Sequence, residues 1–267
     1  MIGLFLGDTD FSETVLNRIK KLNKKYFIID FSKNNKFKND KNSHRISIGK
    51  FGKIINIIKE RKSKKVLFAG KITKPKFSSL RLDLKGIYYM PSIIKAAKLG
   101  DAAIIKSIIK ILNNENIKVI SSIFFNPELA LKTGNYTKLK PNSDDIKSIK
   151  KGITYFNKLN SLDHVQAIIV KNKTILAIED RRGTKKMLSK LQKKSGGILI
   201  KLPKKKQDLR MDLPTIGLNT LKDCKKYGLK GIVLKSKKNI FLNKDKCIKF
   251  ANKNKIFIKI IWRKFLY

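Results

Sequence analysis

Short apolar runs separated by amphipathic stretches dominate the first half of the chain. Residues 2–6 are a continuous apolar run, and residues 11–22 place Phe11, Val15, Leu16, Ile19 and Leu22 at helical spacing. Residues 26–31 form a second buried run. A strand, a helix and a strand at these separations predict a βαβ unit and a parallel sheet. The alternation continues with a helix over 51–59, a strand over 66–69 ending at Gly70, helices over 91–97 and 101–113, and a strand over 119–124. Residues 133–143 are polar and carry Gly134 and Pro141, which marks a boundary.

After that boundary the pattern restarts. A helix is expected over 144–159, with Ser143 as its N-cap and acids in its first turn. Residues 167–170 and 174–178 flank Lys171-Asn172-Lys173 as a hairpin. A helix over 183–192 and a strand over 197–201 follow, then further α/β segments at 220–227, 231–234 and 245–253, and a last strand at 256–261. The expected fold class is α/β, with an N-terminal Rossmann-like parallel-sheet domain over 1–132. A linker over 133–143 leads to a C-terminal α/β domain over 144–267.

Composition changes this picture little. The chain has 267 residues and is 42% apolar, enough for packed cores. Its formal charge is +44, from 63 Lys and Arg against 19 Asp and Glu. Only eight of the basic residues are arginine, and the lysines run along the whole chain among abundant Ile and Asn, so dedicated nucleic-acid binding is not expected. The charge favours anionic partners. Cys224 and Cys247 have no metal-ligand spacing, which suits a reducing cytosol. The N-terminus turns polar too soon for a signal peptide, and no apolar run is long enough to span a membrane.

The two histidines, His44 and His164, cannot build histidine-rich dimetal sites, and no His-Glu-x-x-His, P-loop or Gly-x-Gly-x-x-Gly occurs. Gly49-Lys50-Phe51-Gly52-Lys53 could bind an anion at a helix start or be a plain loop. Gly100-Asp101 reads as a cap for the 101–113 helix. Glu179-Asp180 ends a strand before Gly183-Thr184, a place for phosphate or metal chemistry or for helix capping. The segment from Gln207 to Gly217 is the most informative. Asp208 and Asp212 flank Arg210 and lead into Pro214-Thr215-Ile216-Gly217. Such a turn could hold a cation through the acid and grip phosphate through the guanidinium, or simply be closed by an Asp-Arg pair.

Several motifs together resemble one family, the UDP-2,3-diacylglucosamine pyrophosphatases of the lipid A pathway that are unrelated to calcineurin-like phosphoesterases. They are Gly52-Lys53-Ile54, the run from Phe68-Ala69-Gly70 to Lys74-Pro75, Met90-Pro91-Ser92-Ile93 with Gly100-Asp101, and the run from Lys201 to Gly217. The last matches the family's signature in full.

The resemblance implies two α/β domains holding the lipid substrate between them. It implies hydrolysis of the diphosphate of UDP-2,3-diacylglucosamine to UMP and 2,3-diacylglucosamine 1-phosphate, with Mg²⁺ or a related divalent cation. Asp212 takes the essential carboxylate and a metal-binding role, with Arg210 and Asp208 as further catalytic residues. In place of the family acids missing from this chain, Glu179, Asp180 or Asp8 would have to bind metal, Glu179 being the expected ligand. Gln207, Thr215, Gly70, Lys74, Lys201 and Thr184 are implied to bind substrate. The implied partners are the UDP-linked glycolipid and the cytoplasmic face of the inner membrane, with a homodimer as a further candidate.

Three positions depart from the family pattern. Gly7-Asp8-Thr9 stands for three glycines, Ala102 for an aspartate, and Arg182-Gly183-Thr184-Lys185 for Glu-Gly-Thr-Asp. The alternative expectation is therefore a degenerate member that binds a glycolipid or nucleotide without turnover.

Overall fold

The computed structural model describes residues 1–159, 165–192, 195–204 and 208–262. The chain divides into two compact units, Met1–Pro127 and Glu128–Tyr267.

The first unit runs β1 (Ile2–Leu6), α1 (Asp10–Lys21), β2 (Tyr26–Asp30), β3 (Ser43–Arg45), α2 (Phe51–Glu60), β4 (Lys65–Ala69), α3 (Leu84–Leu99), α4 (Asp101–Asn114) and β5 (Lys118–Val119). Its sheet has the order β3-β2-β1-β4-β5 and every pairing is parallel. This is the strand order of a Rossmann-like sheet. β1 and β2 are almost wholly buried, as expected for strands covered on both faces.

The strand order reverses between β1 and β4, and there the two strand exits lock together. Asp8 and Lys71 exchange backbone hydrogen bonds of 2.8 and 2.7 Å. The buried Ser12 hydroxyl donates to the carbonyls of Gly7 and Ala69, both at 2.8 Å. A Cβ on Gly70 would lie 2.1 Å from Ser12 Oγ and 2.4 Å from the Asp8 carbonyl, and Gly70 holds φ +83°. Glycine there is required by close approach as well as by conformation.

The second unit runs β6 (Gly134–Asn135), α5 (Ser143–Lys158), β7 (Ala167–Lys171), β8 (Thr174–Ile178), α6 (Thr184–Ser189), β9 (Ile198–Lys201), β10 (Thr215–Ile216), α7 (Leu218–Lys226), β11 (Gly231–Lys235), β12 (Ile240–Phe241), α8 (Lys244–Lys253) and β13 (Phe257–Ile261). Its main sheet has the order β6-β13-β11-β9-β7-β8. β9, β11 and β13 are parallel, while β7 runs against both β9 and β8. Successive strand residues alternate between the faces. Ile168, Val170, Ile198, Ile200 and Val233 pack with Ile149, Ile153 and Phe156 of α5. Ala167, Ile169, Leu199, Ile232 and Leu234 pack with side chains of α6, α7 and α8. A separate pairing joins β10 and β12.

The structure revises several element assignments. Residues 133–143 are more than a connection, because Gly134–Asn135 pairs with β13. Asn142, not Ser143, caps α5: it accepts from the Asp145 N–H, and Asp145 bonds back to the Asn142 N–H in a capping box. Asp101 is the first residue of α4, and Gly100 occupies the cap. The strand expected at 119–124 pairs with β4 only over Lys118–Val119, and the chain turns at Ser121, whose carbonyl accepts from the Phe124 N–H. The helix expected at 91–97 extends back to Leu84 because the Asp83 carboxylate caps it through the Gly86 N–H at 2.8 Å. The helix over 183–192 shortens to Thr184–Ser189.

Candidate active site

β8 and β9 run in the same direction, so Ile178 and Lys201 leave the sheet at the same end, against the start of β7. Ligand sites in α/β sheets form at the carboxyl ends of such strands. Glu179 follows β8 and is buried. Its N–H donates to the Ala167 carbonyl at 2.9 Å. One carboxylate oxygen accepts from the Gln166 N–H at 2.7 Å and the other from the Thr184 hydroxyl at 2.6 Å. Thr184 opens α6, and its hydroxyl accepts from Lys201 Nζ at 2.9 Å. A chain of hydrogen bonds thus runs from Glu179 through Thr184 to the Lys201 ammonium. Burial pushes the Lys201 pKa down, against the attraction of Glu179 and Asp212, both within electrostatic reach. Cys224 is buried near Lys201, and burial pushes its thiol up to about 12.

The 208–217 segment begins as a single helical turn. The N–H groups of Met211 and Asp212 donate to the Asp208 carbonyl at 3.2 and 3.0 Å. It ends on β10, where the Pro214 carbonyl accepts from the Ile240 N–H at 2.8 Å. Within the turn, Arg210 Nε and Nη2 grip the two oxygens of Asp208 at 3.0 and 2.7 Å. The Asp208 pairing raises the Arg210 pKa, with burial opposing it. The fork therefore holds its own loop closed. The Thr215 hydroxyl donates to the Leu213 carbonyl at 3.1 Å.

Of the residues singled out in the sequence, Glu179, Thr184 and Lys201 are joined by hydrogen bonds, and Asp212 lies within electrostatic reach of Lys201. Asp208 and Arg210 pair with each other on the same turn as Asp212. Gly70 and Lys74 belong to the first unit, where Gly70 serves the β1–β4 closure and exposed Lys74 lies 5.7 Å from the centre of the Phe77 ring. Gln207 and His164 lie outside the described residues. His44 is on β3 beside Arg61, and burial with that positive charge lowers its pKa.

The Gly49–Lys53 stretch does hold an anion at its helix start, but the anion comes from the protein. The Asp83 carboxylate accepts from the N–H groups of Gly52 and Lys53 at 3.1 and 3.0 Å while also capping α3. Burial opposes its ionisation, but the backbone donors and Lys50 outweigh it and hold the pKa low. Sequence reasoning missed this shared cap because its partners lie 30 residues apart. It also missed the Glu179–Thr184–Lys201 chain as a unit, since steps of 5 and 17 residues match no local periodicity.

The donor set bears on a divalent cation. Among the described residues, no group of three or more His, Cys, Asp or Glu side chains is placed to hold a metal. Magnesium commonly needs only one or two carboxylates, with substrate phosphate oxygens completing its shell. Asp212 suits that arrangement. Glu179 already accepts a bond on each oxygen and has a lysine within reach. Asp180 is paired with Arg182 at 2.5 Å and Lys190 at 3.0 Å, and these contacts, led by Arg182, lower its pKa strongly.

Models of two protein domains cover the chain. The LpxI N-terminal domain matches residues 1–129 and the LpxI C-terminal domain matches residues 132–259. The chain belongs to the LpxI family. It is similar to the UDP-2,3-diacylglucosamine pyrophosphatase LpxI of Caulobacter vibrioides, with 29% identity over 223 residues, which is 80% of each chain. The boundary between the two LpxI domain models falls close to the division between the two compact units at Pro127.

Proposed function

We propose that the chain hydrolyses the diphosphate of UDP-2,3-diacylglucosamine, releasing UMP and 2,3-diacylglucosamine 1-phosphate. Water adds to one phosphorus, the bridging P–O bond breaks, and the displaced phosphate leaves. The observation that carries this reading is the arrangement at the carboxyl ends of β8 and β9, where Lys201 is bonded to Thr184 within reach of Asp212. An ammonium within electrostatic reach of a carboxylate offers charge to phosphate oxygens, and the carboxylate a base or cation ligand for the attacking water. Membership of the LpxI family and the activity named for the Caulobacter relative support the same reaction.

In this reading Asp212 would hold Mg²⁺ or a related ion, which when bound would supply positive charge to the phosphates. Lys201 binds phosphate oxygen, and Thr184 and Glu179 hold its amine in place. Asp208 keeps Arg210 and the turn in register, which sets the position of Asp212. Thr215 follows the same turn. The enzyme works at the cytoplasmic face of the inner membrane, where a diacylated substrate resides.

Purified protein should release UMP from the substrate with Mg²⁺, EDTA should stop it, and Asp212→Ala should lower kcat by about a thousandfold, the scale for removing a charge-handling group. No release with Mg²⁺, Mn²⁺ or Co²⁺ would refute the reading. The pairing of Arg182 with Asp180 favours one competing reading, in which the family's acids have been lost and ligand binds without turnover. That reading requires ligand binding by the unmodified chain and activity only after Arg182→Glu with Lys185→Asp.

A further inference from the structure

α3 is apolar on two opposite faces. Gly86, Met90, Ile93 and Ala96 are buried, and Met90 and Ile93 pack with Ile111 of α4. The other side carries Leu84, Ile87, Tyr88, Pro91 and Ile94, each three or four residues from another of the set, and Leu99 five residues further on, so that they fall on one stripe at the 3.6-residue helical period. That stripe faces water: Leu84 is 86% exposed, Tyr88 77%, Leu99 67% and Ile87 59%. A helix apolar all round normally lies inside a protein or against lipid. A contiguous exposed apolar patch marks an interaction surface.

The charge around the stripe selects the occupant. Exposed Lys95 and Lys98 fall within the exposed arc. From residue 71 to residue 99 the basic residues are Lys71, Lys74, Lys76, Arg81, Lys85, Lys95 and Lys98, and Asp83 is the only acid in that stretch; of these lysines Lys85 is already paired with Glu115, which follows α4. The Asp83 carboxylate is taken up by the N–H groups of Gly52, Lys53 and Gly86. A second copy docking through the same stripe would place lysines against lysines, since a two-fold contact pairs a surface with itself. An anionic leaflet supplies both an apolar interior and negative phosphates, and lysine stems can lie along apolar surface while their ammonium groups reach headgroups. No helix among the described residues is long and apolar enough to cross a membrane, so α3 would lie on the surface.

We propose that the outer face of α3 docks this protein on an anionic lipid surface, with Leu84, Ile87 and Tyr88 entering the headgroup boundary. Lys95 and Lys98, on the same arc toward the C-terminal end of α3, hold lipid phosphates. This deepens the membrane reading above and rests on it, but not on the catalytic residues.

The test is co-sedimentation with phosphatidylglycerol-containing vesicles and with pure phosphatidylcholine vesicles, at physiological salt. The unmodified protein should partition to the anionic vesicles. The triple variant Leu84→Ser, Ile87→Ser, Tyr88→Ser should lose about tenfold or more of that partition while keeping its thermal melt, because apolar insertion adds to charge attraction. In a Trp262→Phe background, Tyr88→Trp should show a blue-shifted emission on vesicle addition. Equal partition of triple variant and unmodified protein would overturn the proposal, because diffuse lysine charge would then account for binding. So would failure of the unmodified protein to sediment, an unshifted Tyr88→Trp emission, or a dimer that the triple variant converts to monomer without any change in vesicle binding. UMP release from detergent-dispersed substrate is measured in parallel. Its retention by the triple variant agrees with a docking role, its loss there without loss of fold places the stripe in substrate binding and overturns the proposal, and its absence from the unmodified protein refutes the catalytic reading alone.

Discussion

Thr9 holds φ 97° and ψ 154°, a region that a β-branched residue enters only under strain. It sits at the exit of β1, where the resembled family carries glycine. Thr9→Gly should raise stability by about 1–2 kcal/mol, the cost of one such outlier, measured by chemical denaturation. An unchanged or lower stability would show that the turn is not strained at this residue. At the candidate site the informative atom is the Thr184 hydroxyl, which bonds both Glu179 and Lys201. Thr184→Val should lower kcat by about 10–100-fold, as loss of an orienting partner does, with a smaller effect on KM. Thr184→Ser should restore most of it. Equal loss in the serine variant would point to packing by the threonine methyl instead.

Three helices of the first unit, α2, α3 and α4, are tied by one carboxylate. Glu115 follows α4 and accepts from Lys59 of α2 at 2.7 Å, from Tyr89 of α3 at 2.9 Å and from Lys85 of α3. Burial would raise its pKa, but the Lys59, Lys85 and Tyr89 bonds outweigh burial and hold it at about 2, below the ordinary 4.5. A carboxylate lowered on folding stabilises the fold above its unfolded pKa and loses that contribution as pH falls through its folded value. The gain is therefore complete above about pH 5 and fades toward pH 2. Because both lysines are substantially exposed, the contribution is about 1–2 kcal/mol rather than the full value of the shift. Glu115→Gln should lower the melting temperature at neutral pH and flatten its decline between about pH 5 and pH 3. The same slope in both proteins would exclude this clamp. At this scale the alternating apolar runs made most strands and helices legible. What they hid were ends, such as the β5 exit at Ser121 and the α3 start at Asp83, because those are set by single polar contacts (Phe124 N–H to Ser121, Gly86 N–H to Asp83) that leave no mark on apolar periodicity.

For the whole molecule, the βαβ pattern already indicated parallel sheets, and both units contain them. The mixed direction of the second sheet was only partly legible, through the β7–β8 hairpin. The short pairings of β6 with β13 and of β10 with β12 carried no signal in segments of two residues. The excess of lysine, spread along the chain, pointed to anionic partners without a location. The docking face proposed on α3, where acids are scarce and apolar side chains stay exposed, would give that charge a location.

The sequence by itself determined the fold class and the Lys201–Gly217 signature, because periodicity and motif spacing are local properties of the chain. Only the tertiary structure decided that Glu179 and Thr184 are bonded to Lys201, that Arg210 closes on Asp208, and that Asp83 fills the anion site at α2. The first and last depend on which strands leave the sheet at the same end and which helix starts converge, which local patterning does not encode; the Asp208–Arg210 closure was one of two readings the sequence left open for that turn.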